Sequence, residues 1–225
     1  MITIILVKPR NPNNIGASAR AMANFGLSDL RIAGAHIPNL EEAQAAVGAE
    51  DLLKKAKIFD NLQDALADCN FAFAATSLKN RNTQKEIVSL PNINNHIKRG
   101  KIAVVFGSEK TGLSVKDIEL CDAVLNIPTT TKQPSVNLAQ AVNLVCYETA
   151  KTKNFKTLKQ QKTNLPSFKD IDLLTADILE LFDRKEFKKE LTKTDRELLI
   201  KNILKSSSLS KKQLFIIKKF LNLLK

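Results

Sequence analysis

Over its first 158 residues the chain alternates short apolar runs with stretches whose apolar residues recur every three to four positions. A chain that switches between strand and helix periods in this way has few outlets. Each buried strand followed by a crossover helix makes a βαβ unit, so the pattern predicts an α/β fold with a parallel sheet flanked by helices. The strand candidates are Thr3 to Val7, Asp29 to Ile32, Ile58 to Phe59, Phe71 to Ala75, Ile102 to Phe106 and Ala123 to Ile127. The first predicted helix runs through NIGASARAMANFG, where Ile15, Ala19 and Met22 share a face and Gly26 supplies a left-handed stop. Further helices are predicted over Leu40 to Val47, Leu62 to Leu66, Val115 to Leu120 and Asn137 to Ala150.

Beyond Ala150 the text changes to KTKNFKTLKQQKTNLPSF, polar, lysine-rich and helix-breaking. We therefore divide the chain into an α/β domain at 1–158, a linker at 159–168 and a small basic helical extension at 169–225 with apolar residues at helical spacing. A chain of 225 residues buries enough surface to fold without staples. The three cysteines are widely spaced, with no CxxC pair and no histidine cluster, which points to buried thiols and to no structural metal or disulfide framework. No apolar run approaches the roughly 20 residues of a membrane span, and ITIILV is too short and lacks the basic flank of a signal peptide, so the expected location is cytoplasmic and off the membrane. Net charge is +12, and it is unevenly spread: 1–158 carry 19 Lys and Arg against 14 Asp and Glu, while 159–225 carry 16 against 9. A cationic surface of this size favours polyanions, RNA among them.

Three clusters lie at the C-terminal ends of predicted strands, where open α/β sheets bind ligands. In NPNNIGASAR, Asn13 or Asn14 is a candidate helix cap, and Arg20 leans back toward the same helix start, so an amide and a guanidinium are placed to meet one anion. In FGSEKTGLS, Gly107 and Gly112 have Walker spacing, but Leu113 and Ser114 replace the lysine and hydroxyl that a triphosphate needs, and Glu109 would repel one. Such a loop suits a neutral or cationic ligand approached by backbone at Gly107. Ser114 and Asp117 read as a capping box for the next helix. In IPTTTKQPSVNLAQ, a polar loop follows the strand and Ser135 or Asn137 opens a helix with Leu138, Ala141, Val142 and Val145 on one stripe.

Together and in this order the three clusters resemble the motifs of the SpoU-type branch of the SPOUT RNA methyltransferases, over about residues 1–158. The likeness is strongest to the tRNA (cytidine/uridine-2'-O)-methyltransferases, which act on the ribose at position 32 of the anticodon loop; ATSLKNR, the Pro134 to Asn137 segment and the basic tail carry it. The resemblance implies a SPOUT sheet with a C-terminal trefoil knot, S-adenosyl-L-methionine as cofactor, an RNA substrate and a homodimer. It implies a cofactor pocket from Thr76, Ser77, Leu78, Gly107, Ile127, Pro134, Ser135 and Val136, and catalytic-site residues Asn14, Arg20, Glu109, Ser135 and Asn137. Lys79, Arg81, Lys110, Lys132 and the tail lysines are its candidate phosphate contacts.

A neutral sugar hydroxyl is a poor nucleophile, yet a guanidinium keeps its proton at any accessible pH. The role expected for Arg20 is therefore to be pinned by an RNA phosphate and to steady the developing oxyanion, while the proton leaves to phosphate or water. A SpoU-type enzyme acting on ribosomal RNA and a non-catalytic RNA-binding relative are the alternatives. The helical extension after the domain, with no RNA-binding segment before Met1, favours tRNA, and the full set of five catalytic-site residue types favours an active enzyme.

Overall fold

The computed structural model describes residues 1–34, 39–77, 84–97, 100–130, 132–151, 165–184, 191–207 and 209–224. Seven strands, β1 (Ile2–Val7), β2 (Asp29–Ala33), β3 (Lys57–Phe59), β4 (Phe71–Ala75), β5 (Glu86–Ser89), β6 (Ile102–Phe106) and β7 (Ala123–Asn126), form one sheet in the order β3-β2-β1-β6-β4-β7-β5. Every pairing is parallel. β5 is absent from the sequence expectation: it is a short edge strand with polar ends, and only Val88 is buried, so no apolar run marks it.

Nine helices accompany the sheet among the described residues: α1 (Pro12–Asn24), α2 (Glu50–Lys54), α3 (Leu62–Leu66), α4 (Ile93–His96), α5 (Val115–Leu120), α6 (Leu138–Lys151), α7 (Phe168–Arg184), α8 (Lys193–Ser206) and α9 (Lys211–Leu223). Two short ones, α2 and α4, have no counterpart in the sequence expectation. The helix expected over Leu40 to Val47 is instead two 3₁₀ turns, Leu40–Glu42 and Gln44–Ala46. The second turn packs so closely on α1 that a Cβ on Gly16 would lie 2.9 Å from both the Ala43 oxygen and the Ala46 nitrogen. Packing at that distance favours the tighter turn over a regular helix.

Alternation along the strands divides the core. Ile4, Leu6, Val104, Phe106, Phe73 and Leu125 face α1 and α6, while Ile5, Val7, Val105, Ala74 and Val124 face α3 and α5. Gly26 takes φ +68° and closes α1, with its N–H on Ala23 and the Leu27 N–H on Met22, the paired bonds of a Schellman stop. The C-terminal helices pack a small apolar cluster of their own from Ile171, Leu174, Leu204 and Leu214. They are tied to the sheet domain where the Phe168 N–H donates to the Cys69 carbonyl, and where Lys205 pairs with Asp122 at 3.1 Å while lying 3.9 Å over the Phe168 ring. All three cysteines are buried free thiols. Among the described residues no helix is long and apolar enough to cross a membrane, and none of their His, Cys, Asp and Glu side chains gather into a group able to hold a metal ion.

Candidate active site

The C-terminal ends of four strands lie level: Leu6 pairs with Phe106, Phe106 with Ala75, and Ala75 with Leu125. From β1 the chain runs outward through β2 and β3, while β6 lies on the other side of β1. The segments that follow β1 and β6 thus meet over the crevice where the winding reverses, the usual ligand position in such sheets.

The loop after β6 folds back on itself. The Gly112 N–H donates to the Ser108 carbonyl at 2.8 Å, the two residues form an isolated antiparallel bridge, and Gly112 takes φ +66°. A Cβ on Gly107 would lie 2.1 Å from the Gly112 carbonyl carbon, so backbone fills the space where a side chain would go. The capping box of Ser114 and Asp117 then starts α5.

Glu109 at the tip of this loop faces the N-terminal end of α1. Its Oε2 accepts the Arg10 N–H at 2.9 Å, and its Oε1 accepts the Asn11 N–H at 3.0 Å and Asn14 Nδ2 at 2.9 Å. These donors cluster at the positive end of the helix dipole, which a carboxylate complements. Partial burial raises the Glu109 pKa, but the Asn14 amide, the Glu109 N–H itself and the Arg10 and Asn11 N–H groups outweigh it and hold the carboxyl below its ordinary value. The role that a triphosphate's repulsion left open for Glu109 is filled by protein donors.

From Glu109 the bonding continues. With Asn14 Nδ2 on the carboxylate, Asn14 Oδ1 faces Asn137 Nδ2 at 3.2 Å, and Asn137 Oδ1 accepts the N–H groups of Ala139 and Gln140. Each amide thus has its donor and acceptor ends fixed by its neighbour. Of the two candidates for the start of α6, Asn137 is the cap. At α1 the cap is neither Asn13 nor Asn14 but Asn11, whose side chain accepts the Asn13 N–H with Pro12 at the first helical position. Asn-Pro ahead of an apolar-periodic run is a start signal that would have located it. Asn13 instead accepts the Ala45 N–H at 3.3 Å.

Beside this chain of bonds is an open pocket of about 250 Å³. Of the expected cofactor residues, Thr76, Ser77, Gly107, Ile127, Pro134, Ser135 and Val136 all line it; Leu78, with Lys79 and Arg81, falls outside the described residues. Glu109 lines it too, as do Phe106, Leu138 and Ala141, core-type residues that carry no chemical signature in sequence. The Thr76 N–H is anchored on the Leu125 carbonyl at 3.1 Å, which fixes the rim between β4 and β7. The structure therefore brings Asn14, Glu109 and Asn137 into one bonded chain and puts Ser135 on the adjoining wall. It does not bring Arg20 there: that side chain is exposed on α1, outside the pocket lining, and has no hydrogen-bond or ion-pair partner among the described residues.

The sequence matches the SpoU rRNA Methylase family over residues 1–147. The tRNA (cytidine-2'-O-)-methyltransferase TrmJ of Methanocaldococcus jannaschii is 35% identical over 205 residues, 86% of this chain and 88% of the relative. The tRNA (cytidine/uridine/adenosine-2'-O-)-methyltransferase TrmJ of Pseudomonas aeruginosa is 33% identical over 190 residues, 80% of this chain and 74% of the relative. Among solved structures, TrmJ from Z. mobilis ZM4 aligns with a TM-score of 0.81 at 28% identity, covering 100% of this chain and 99% of its own. Sequence, sheet and site lead to one statement: the chain belongs to the SpoU methylase family of methyltransferases.

Proposed function

We propose that the protein is an S-adenosyl-L-methionine-dependent methyltransferase acting on a ribose 2'-hydroxyl of tRNA, at position 32 (C or U) of the anticodon loop, as a cytoplasmic homodimer. The observation that carries this reading is the pocket at the level strand ends, joined through Glu109 to the bonded pair Asn14 and Asn137. The lining suits the cofactor: Phe106, Ile127, Val136, Leu138 and Ala141 offer an apolar wall for an adenosyl group, and the tight Gly107 to Gly112 turn offers backbone without the lysine and hydroxyl of a phosphate loop. When bound, the cofactor supplies an electrophilic methyl group on a sulfonium.

The chain's own residues do the rest. Thr76, Ser77, Gly107, Ile127 and the Pro134 to Val136 segment hold the cofactor, with Leu78 assigned to the same wall. Glu109, Asn14 and Asn137 keep the loop after β6 in register with α1 and α6, and Ser135 orients the ribose. Arg20, exposed and without a partner among the described residues, is supplied across the homodimer contact. There an RNA phosphate pins its planar fork, and the guanidinium steadies the oxyanion as the proton leaves to phosphate or water. The buried stripe of α6 is used on its own core, so an α6 contribution to that contact falls to the outward Leu144 and Tyr147. In this reading 1–158 is the catalytic domain with the trefoil knot around the loops after β6 and β7, 159–168 the linker and 169–225 the RNA-binding extension.

Calorimetric titration with S-adenosyl-L-methionine, followed by mass mapping of ribose methylation on a tRNA transcript, tests this. Binding with a single new 2'-O-methyl at position 32 is expected; a mark at another position would correct the site, and absence of cofactor binding would overturn the reading. Arg20→Lys keeps charge but loses the fork, and turnover should fall about tenfold or more. Turnover near that of the unmodified enzyme would remove Arg20 from the role of steadying the oxyanion.

A further inference from the structure

Three strands deliver their ends to the pocket, and each is gripped at its other end. β4, β6 and β7 are followed directly by Thr76, Gly107 and Ile127, all of which line the pocket. The same strands are preceded directly by Asn70, Lys101 and Asp122. At about 3.3 Å per residue, the two sets of positions lie about 17 to 20 Å apart.

At the strand starts, two side chains bond in two directions. Asn70 Oδ1 accepts the Lys101 N–H at 2.8 Å, which ties β4 to β6, while Asn70 Nδ2 donates to the Leu165 and Pro166 carbonyls at 3.0 and 2.6 Å, just ahead of α7. Asp122 Oδ2 accepts the Ala72 N–H at 2.8 Å, which ties β7 to β4, while Asp122 Oδ1 pairs with Lys205 of α8 at 3.1 Å. Beside them the Phe168 and Lys169 N–H groups donate to the Cys69 and Ala67 carbonyls, both at 2.8 Å. The side chains that staple these strands together are thus oriented by the C-terminal helices. No described residue of those helices lines the pocket.

The contact is also of a kind that can release. Among the described residues of the C-terminal helices, Phe168 is the one member of the sheet domain's core clusters; Ile171, Leu174, Leu204 and Leu214 pack with one another instead. The helices can leave with their own cluster intact, at the loss of one ring and a few polar contacts. Docked and released forms are then the two states that coupling between distant sites requires.

We propose that docking of the C-terminal helices on Asn70 and Asp122 positions the pocket at the far ends of β4, β6 and β7, so that docking and cofactor binding strengthen each other. Asn70, Asp122 and Lys205 are positioning residues in this scheme, which rests on the pocket being that of the cofactor.

The test uses the full-length protein. Lys205→Met keeps the stem but removes the ammonium from Asp122 and from the Phe168 ring, and Lys205→Arg keeps both contacts. In calorimetry the methionine variant should bind S-adenosyl-L-methionine about fivefold or more weakly, with a raised KM and an unchanged kcat at saturation, and the arginine variant should match the parent. Asp122→Asn, which retains an acceptor for the Ala72 N–H, should behave like the methionine variant. Without cofactor, hydrogen exchange of the Thr76 and Gly112 N–H groups, bonded to the Leu125 and Ser108 carbonyls, should quicken about fivefold in the methionine variant alone of the two Lys205 variants. Because coupling is reciprocal, saturating cofactor should slow exchange of the Phe168 and Lys169 N–H groups of the parent by a similar factor. A methionine variant with a lower melting temperature but unchanged cofactor affinity or unchanged exchange at Thr76 and Gly112 would make the contact merely structural and overturn the proposal. A parent that does not bind S-adenosyl-L-methionine fails the reading of the pocket instead, and exchange at Thr76 and Gly112 still decides the coupling.

Discussion

Glu109→Gln is close to isosteric, yet the structure gives it a large effect. All three partners of the carboxylate are donors: the Arg10 N–H, the Asn11 N–H and Asn14 Nδ2. A glutamine must turn its own NH₂ toward at least one of them, so one bond is replaced by two facing donors and the others lose their ionic character. Hydrogen bonds to a charged group contribute about 1.5–3 kcal/mol each, and water reaches this exposed site and recovers part of the loss. The net cost is about 1–2 kcal/mol, charged to the arrangement that holds the loop after β6 against α1. That corresponds to about a 5- to 30-fold loss in affinity for S-adenosyl-L-methionine, read by calorimetry, and a parallel rise in its KM. Because Glu109 is a positioning residue, kcat at saturating cofactor should fall less than kcat/KM, and Glu109→Asp, which keeps the charge on a shorter stem, should recover part of the affinity. A glutamine variant with unchanged cofactor affinity, or one in which only kcat falls, would refute the assignment.

Gly107→Ala should be worse, because the added methyl would meet Gly112 and Leu113 backbone at 2.1 and 2.2 Å and backbone cannot swing aside; loss of cofactor binding by calorimetry is expected, and retained binding would show that the turn is looser than the structure gives. The ion-pair cluster around buried Arg31 and Asp29, with the more exposed Asp68 and Lys101, lies at the opposite end of the sheet and sets acid stability. Burial raises the Asp29 pKa, but hydrogen bonds from Arg31, Lys101 and Thr3 outweigh it and hold the carboxyl at about 2; at Asp68 burial is likewise outweighed, by Arg31 and Lys101, and that carboxyl too is lowered. Since the folded values lie below the unfolded ones, this stabilisation is complete above about pH 4 and is lost as pH falls through about 2, so the melting temperature should decline across that window. Asp29→Asn leaves Arg31, only 2% exposed, with Asp68 as its remaining carboxylate, and should cost about 2–3 kcal/mol, or about 5–10 °C in melting temperature at neutral pH; a fall under about 2 °C would contradict the assigned role.

How much of this is written in the order of residues can be followed element by element. Strands β1, β4 and β6 are legible because buried parallel strands are unbroken apolar runs, and the stop at Gly26 and the start at Ser114 because capping is decided within a few residues. β5 is not, since an edge strand needs burial on little of its length, and the Leu40 to Val47 segment departs from its helical pattern because its geometry is set by contact with Gly16. The site divides along the same line. The motifs carry the residue types that the resemblance implies for methyl transfer, and every residue expected of the cofactor wall that the structure describes does line the pocket. Asn11 escapes notice as a cap, and the partners of Glu109 have no signal in the sequence at all. Glu109 and Asn14 are 95 residues apart, and Asn14 and Asn137 are 123 apart. Local pattern fixes what a segment can do with its neighbours in sequence. Which amide a carboxylate grips depends on strand order and register, which only the assembled sheet decides.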